Sequence, residues 1–303
     1  SYSARFLLWL GTGQRREPPG EEELTLLALR RRSVALDAAR GAADLPFSLT
    51  EDDIALVRPA WSSGRAFLGS FPLPDVELQL ETFGLLAHVR ARGFRRLRVE
   101  LGGEGDADTL RVFCEDRSPE ELLLELRASR NRSAVPGFEV IRIEWLLLQN
   151  PREPFSSRRP RLPGQNHPGL GMLKEVLAWL VLLCEQQRLD GVLFRAAHYH
   201  IAGQSRRLVR LLDPREEGRM RALAAAVEGL SLAEATTAVE EGRVVEAETG
   251  APIHWDAVAC VVPVSPALTE RVSGAAYEEA AAAAAAAALR VVPASEVRRA
   301  PAG

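Results

Sequence analysis

From Phe138 to Ala196 the chain reads strand, loop, helix, strand. Ile141, Ile143 and Trp145 alternate with Arg142 and Glu144, the two-residue period of a strand with one wet face. From Trp145 to Leu148 the run is continuously apolar, which predicts burial on both faces near a sheet centre. Residues 150–167 then place four prolines and four arginines in one loop. Loops longer than roughly 12–15 residues are often functional or disordered. Pro168 to Arg188 carries Met172, Leu173, Val176, Leu177, Leu180, Val181 and Cys184 at helical spacing, a wide apolar face. Val192 to Ala196 is the next strand. A helix with such a face must bury it against another layer, so this stretch demands a sheet with helices packed on it.

The flanks extend that pattern. Residues 4–11 read as a strand, 21–43 as a helix, Thr50-Glu-Asp-Asp53 as a capped helix start, and 75–92 as a long helix ended by Gly93. Residues 95–115 read as a hairpin turning at Gly102–Asp106. Ser118-Pro-Glu-Glu121 is a helix start, cap followed by proline and acid, predicting a helix to about Ser129. Leu208–Leu212 is a strand, Asp213-Pro214 caps a helix to about Leu230, and Ser231 opens a shorter one to Glu241. Strands fill 243–264. After Ser265 the chain turns helical and runs into nine alanines, Ala280–Ala288. The expected architecture is α/β or α+β, a mixed central sheet flanked by helices. It divides into a mainly helical part at 1–93, an α/β domain at 94–230, and a C-terminal appendage of strands and Ala-rich helix at 231–303.

Composition limits the function. Of 303 residues, 47% are hydrophobic and 26% charged, enough for a buried core without disulfide staples. A net charge of −3 gives no basic field for nucleic acid. Basic charge is almost all arginine, with Lys174 the single lysine. Cys114, Cys184 and Cys260 lie far apart in apolar stretches, which predicts buried free thiols and a cytoplasmic setting. Outside the alanines the longest apolar run, Val176–Cys184, falls short of the roughly 20 residues that span a membrane. Neither membrane nor nucleic acid is an expected partner. Self-association through the C-terminal helix is.

The stretch with most chemical content is Gln165-Asn166-His167-Pro168-Gly169-Leu170-Gly171-Met172. Two glycines one residue apart open a helix after a strand. Free N–H groups and the positive end of the helix dipole bind anions there, and Arg158, Arg159 and Arg161 lie just upstream. These residues resemble the GNAT acyltransferase superfamily, whose Gln/Arg-x-x-Gly-x-Gly/Ala loop binds the pyrophosphate of acetyl-CoA. The resemblance spans about residues 94–215. It implies acetyl-CoA or another acyl-CoA on residues 165–172, with pantetheine paired along the first strand and the second strand splayed away to admit the thioester. It further implies Glu144 as general base, Tyr199 as acid to the leaving thiolate, and a small-molecule or protein amine as acceptor. Asn166 stands three residues before Gly169, with Gln165 one position earlier.

Two other readings stay open. One is a non-catalytic GNAT-like module that binds a ligand or protein. The other is a metal enzyme using His198 and His200, which a strand would point to one face; His167, His254, Asp213 and Asp256 are candidate third ligands. Trp61, Trp145, Trp179 and Trp255 are expected core anchors.

Overall fold

A computed structural model describes residues 65–115, 118–157, 159–203 and 208–297. The elements predicted at 4–11, 21–43 and Thr50–Asp53 lie outside these residues, as does Trp61. Over 75–92 the chain forms two helices instead of one, α1 (Leu73–Thr82) and α2 (Leu85–Ala91). Gly84 between them has a φ of 81°, a left-handed turn that a residue with a Cβ rarely adopts and that ends the first helix.

β1 (Leu97–Glu104) and β2 (Ala107–Cys114) make the expected hairpin. The helix predicted from Ser118 is not formed beyond one turn, Pro119–Glu121; the chain continues as β3 (Leu122–Asn131). Its leucines suit a helix, but β2 and β4 take up both edges of the segment. Leu124, Leu126 and Ala128 are then buried at strand spacing, and this burial overrides local propensity.

β4 (Val140–Leu148), α3 (Leu173–Gln187) and β5 (Gly191–Ala196) follow the predicted order. The helix begins five residues later than expected because Gly171 takes a φ of 67°. At its other end Arg188, also left-handed, stops it before Asp190. Beyond lie α4 (Tyr199–Gly203), β6 (Arg210–Leu211), α5 (Pro214–Ala226), α6 (Leu232–Glu240), β7 (Val244–Glu246) and β8 (Val258–Pro263). The described residues end in α7 (Pro266–Ser273), α8 (Ala275–Ala285), β9 (Leu289–Val291) and the single turn α9 (Ala294–Val297).

The fold is α+β around a mixed seven-stranded sheet in the order β1-β2-β3-β4-β5-β8-β6, flanked by helices. Every neighbouring pair is antiparallel except β4 and β5. The 231–303 segment supplies β8, which lies inside the sheet between β5 and β6, so that segment completes the sheet. β7 and β9 pair separately, and β9 follows the alanine tract, beyond the last element the sequence pattern predicts.

One face of the sheet carries α1, α2 and α3. Ile141, Ile143, Leu126 and Ala128 pack with Val176 and Leu180 in the main core there. Trp179 of α3 stacks on Phe67 at 5.9 Å and donates its indole N–H to Gln79 at 2.9 Å, so the buried polar groups satisfy each other. On the other face Val140, Leu193 and Val261 form a second core with Leu268, Val272, Tyr277 and Ala281 of α7 and α8. The alanine tract is thus helical to Ala285 and packs within the chain.

The three cysteines are buried free thiols. No helix among the described residues is long and apolar enough to cross a membrane.

Candidate functional site

The parallel neighbours β4 and β5 pair over three positions only: Val140 with Gly191, Ile141 with Val192, and Arg142 with Leu193. β4 then runs six residues further, to Leu148, with no strand on that side among the described residues. The backbone groups that β4 turns away from β3 are left there, beside an opening between β4 and β5, without a strand partner among the described residues. On the opposite edge the register with β3 slips once. Ala128 faces Ile143 and Arg127 faces Trp145, so Glu144 is the extra residue of a β-bulge at the mouth of the opening.

The bulge sets what points where. Ile143 is buried toward α3, whereas Glu144 and Trp145 are both exposed on the far face. Trp145, expected in the core, is 51% exposed, because β5 has departed and none of the described helices covers this part of the sheet. Ser129 Oγ lies 3.4 Å from Glu144 Oε1.

Residues 150–172 form a strap from the end of β4 to the start of α3. Asn150 N–H donates to Pro168 O at 2.7 Å, which anchors the glycine segment beside the end of β4. Pro168, Leu170 and Met172 are buried, while Asn166 and Gly171 are exposed. The start of α3 has no side-chain cap, the arrangement in which a helix N-terminus can receive an anion. Arg92 of α2 reaches this turn: its Nη2 lies 3.3 Å from where a Cβ on Gly171 would be. His88, one helical turn earlier, has its Nε2 3.3 Å from Leu170 O.

The expected arginines are arranged otherwise. Arg159 pairs with Glu153 at 2.9 Å, and Arg161 donates to Gln165 O at 2.8 Å. Gln165 Oε1 accepts from Leu162 N–H. These bonds hold the strap to itself. Arg158 lies outside the described residues. Arg92 went unread because it sits on a different helix, and no sequence spacing ties it to Gly171.

Tyr199 opens α4 on the α3 side of the sheet, buried edge-on against Trp255 at 5.7 Å. Glu144 thus lies two residues past the last β4 position paired with β5, and Tyr199 three residues past the end of β5.

His198 and His200 lie at and within the start of α4, not in a strand. Their rings stack at 5.6 Å. His198 Nδ1 is 2.9 Å from Glu240 Oε1, and its Nε2 abuts Gly164 of the strap. Among the described residues no three His, Cys, Asp or Glu side chains are grouped to hold a metal.

His200 is buried, and its Nδ1 lacks a hydrogen-bond partner. Burial pushes its pKa down to about 4, and the neighbouring His198 charge acts in the same direction. In the unfolded chain the imidazole titrates near 6.5. Between these values the unfolded state binds the extra proton, so folding stability is full above about pH 6.5 and declines as pH falls toward about 4. Urea midpoints measured from pH 7 to 4.5 are expected to fall less for His200→Leu than for the wild type. Parallel curves would count against this origin.

Two surface depressions lie away from the opening. One, of about 540 Å³, is lined by Asp213, Asp256 and Arg271; the other, of about 340 Å³, lies between Ser157 and Pro160 of the strap and Glu234 and Thr237 of α6. No family model matches the chain, and neither a curated protein nor a solved structure matches it.

Proposed function

We propose that this protein is an acyl-CoA-dependent N-acyltransferase. The observation that carries the reading is the parting of β4 and β5 after Arg142 and Leu193. A free strand edge offers alternating donors and acceptors, which match the two amides of a pantetheine arm. The uncapped start of α3 and Arg92 sit at the end of that edge and suit a pyrophosphate.

Chemistry at the opening needs few groups. Glu144 takes a proton from the acceptor ammonium. The freed amine bonds to the acyl carbon and gives its second proton to solvent, the carbon–sulfur bond breaks, and the thiolate leaves with a proton from Tyr199, which regains one from solvent. The base then stands on the acceptor side of the sheet and the acid on the side of α3, which keeps the two proton transfers apart.

The test is thermal melting with millimolar CoA. A ligand that binds only the native state adds RT ln(1 + [L]/Kd), about 2.7 kcal/mol at 100 Kd. That corresponds to a shift of roughly 5–11 °C for a chain of this size. Gly169→Asp, which sets a carboxylate against the phosphates, is expected to abolish the shift. Arg92→Ala is expected to raise Kd roughly tenfold or more through loss of a charged hydrogen bond. No shift in the wild type, or equal shifts in all three proteins, would overturn the reading.

One observation favours the non-catalytic alternative: Gly164 of the strap lies against His198 beyond the end of β5, across the opening. In that case CoA gives no shift and the strap is permanent.

A further inference from the structure

The face of the sheet that bears Glu144 also bears two arginines that form no ion pair among the described residues. Arg127 is the cross-strand partner of Trp145, and Arg142 that of Ser129, which contacts Glu144. Facing partners in a sheet project to the same side. Arg127, Arg142, Glu144 and Trp145 therefore surround one point, where β4 leaves β5. On the same face Arg111 pairs with Glu125 at 3.3 Å, whereas Arg127 and Arg142 make no ion pair among the described residues. Glu144 balances one of the two guanidiniums and leaves a surplus of one positive charge. An indole half in solvent beside them is an apolar surface that the described residues leave uncovered.

We infer that this patch holds the acceptor, and that the acceptor is a small amine which also carries a carboxylate and a planar or apolar body. The inference rests on the acyl-transfer reading for the direction of approach. The α3 start and Arg92 lie on one face, so the acceptor enters from the other, where these four side chains are. The guanidiniums bind the carboxylate, bidentate where geometry allows. The indole face covers the body. The amine then lies against Glu144, the group that must take its proton. A polyamine is repelled by the same pair of arginines.

The experiment compares L-phenylalanine, L-phenylalaninamide and putrescine in two assays on the whole chain. One is thiol release from acetyl-CoA; the other is quenching of tryptophan fluorescence by each amine, with Trp145→Phe locating the signal. The expected result is phenylalanine preferred over its amide by roughly tenfold or more in both assays. Arg127→Gln and Arg142→Gln are expected to raise the KM for phenylalanine by a similar factor, with the KM for acetyl-CoA unchanged. Putrescine is expected to be inert. Equal use of all three amines, with both variants unaffected, overturns the inference and leaves acyl transfer standing. Arginine-dependent quenching without thiol release, and without a CoA melting shift, removes acyl transfer and keeps the patch as a site for anionic amines. Quenching by none of the amines, with no thiol release from any, overturns the inference.

Discussion

Glu144→Gln is expected to lower kcat for acyl transfer about 100-fold or more at pH 7, the usual contribution of a positioned general base. Glutamine keeps the size and shape of the side chain and removes only its ability to take a proton. The residue is exposed, and among the described residues its side-chain hydrogen bond is the long one with Ser129, so the fold is expected to be unchanged. Three readouts separate a lost base from a lost site. The CoA melting shift stays at the wild-type value, because the cofactor side of the sheet is untouched. The KM for the amine changes little. The defect shrinks as pH rises toward the amine pKa, since solvent then supplies the free base that Glu144 otherwise generates. A variant that keeps wild-type kcat across that pH range removes Glu144 from the chemistry. A variant with a raised amine KM and normal kcat makes it a binding residue.

Features set by neighbours in sequence could be read in advance. The β1–β2 hairpin, the apolar face of α3 and the helix start at Ser231 each follow from residues within a few positions of one another. Features set by the choice of partner could not. The leucines of β3 suit a helix until β2 and β4 claim both edges. Trp145 to Leu148 looks doubly buried until β5 stops pairing at Leu193 and the bulge turns the indole outward. β8 reaches its place between β5 and β6 from a distant part of the chain. The candidate site divides along the same line. Glu144 and the glycine turn are visible locally, whereas Arg159 and Arg161 look like phosphate ligands only until the strap's own acceptors bind them. Arg92 arrives through tertiary packing alone.

Gly218→Val is expected to destabilise the protein by about 3 kcal/mol, a cost at the upper end of ordinary overpacking. Gly218 is buried in α5, where α8 crosses it. A Cβ there would overlap the carbonyl oxygen of Ala281 and come within 2.6 Å of Ala284 Cβ and 2.9 Å of Ala285 N. Two of these three atoms are backbone, so no rotamer change relieves the overlap, and the helices must separate. Separation pulls on what fastens the crossing. Arg221 of α5 pairs with both carboxylate oxygens of Glu278 at 2.6 and 3.0 Å, and Tyr277 O–H donates to Leu211 O at 2.6 Å. Helix propensity acts the other way, since glycine is about 1 kcal/mol worse than alanine in a helix interior. Gly218→Ala therefore separates the two effects by sign: propensity alone raises stability, and the crossing lowers it. At about 2–4 °C per kcal/mol, the valine variant is expected to melt roughly 6–12 °C lower. Arg219→Val, one position along on the exposed side of α5, is the control and is expected to shift melting by less than about 2 °C. A Gly218→Ala protein more stable than the wild type would show that the alanine tract does not press on α5 and that its small side chains serve no packing purpose there.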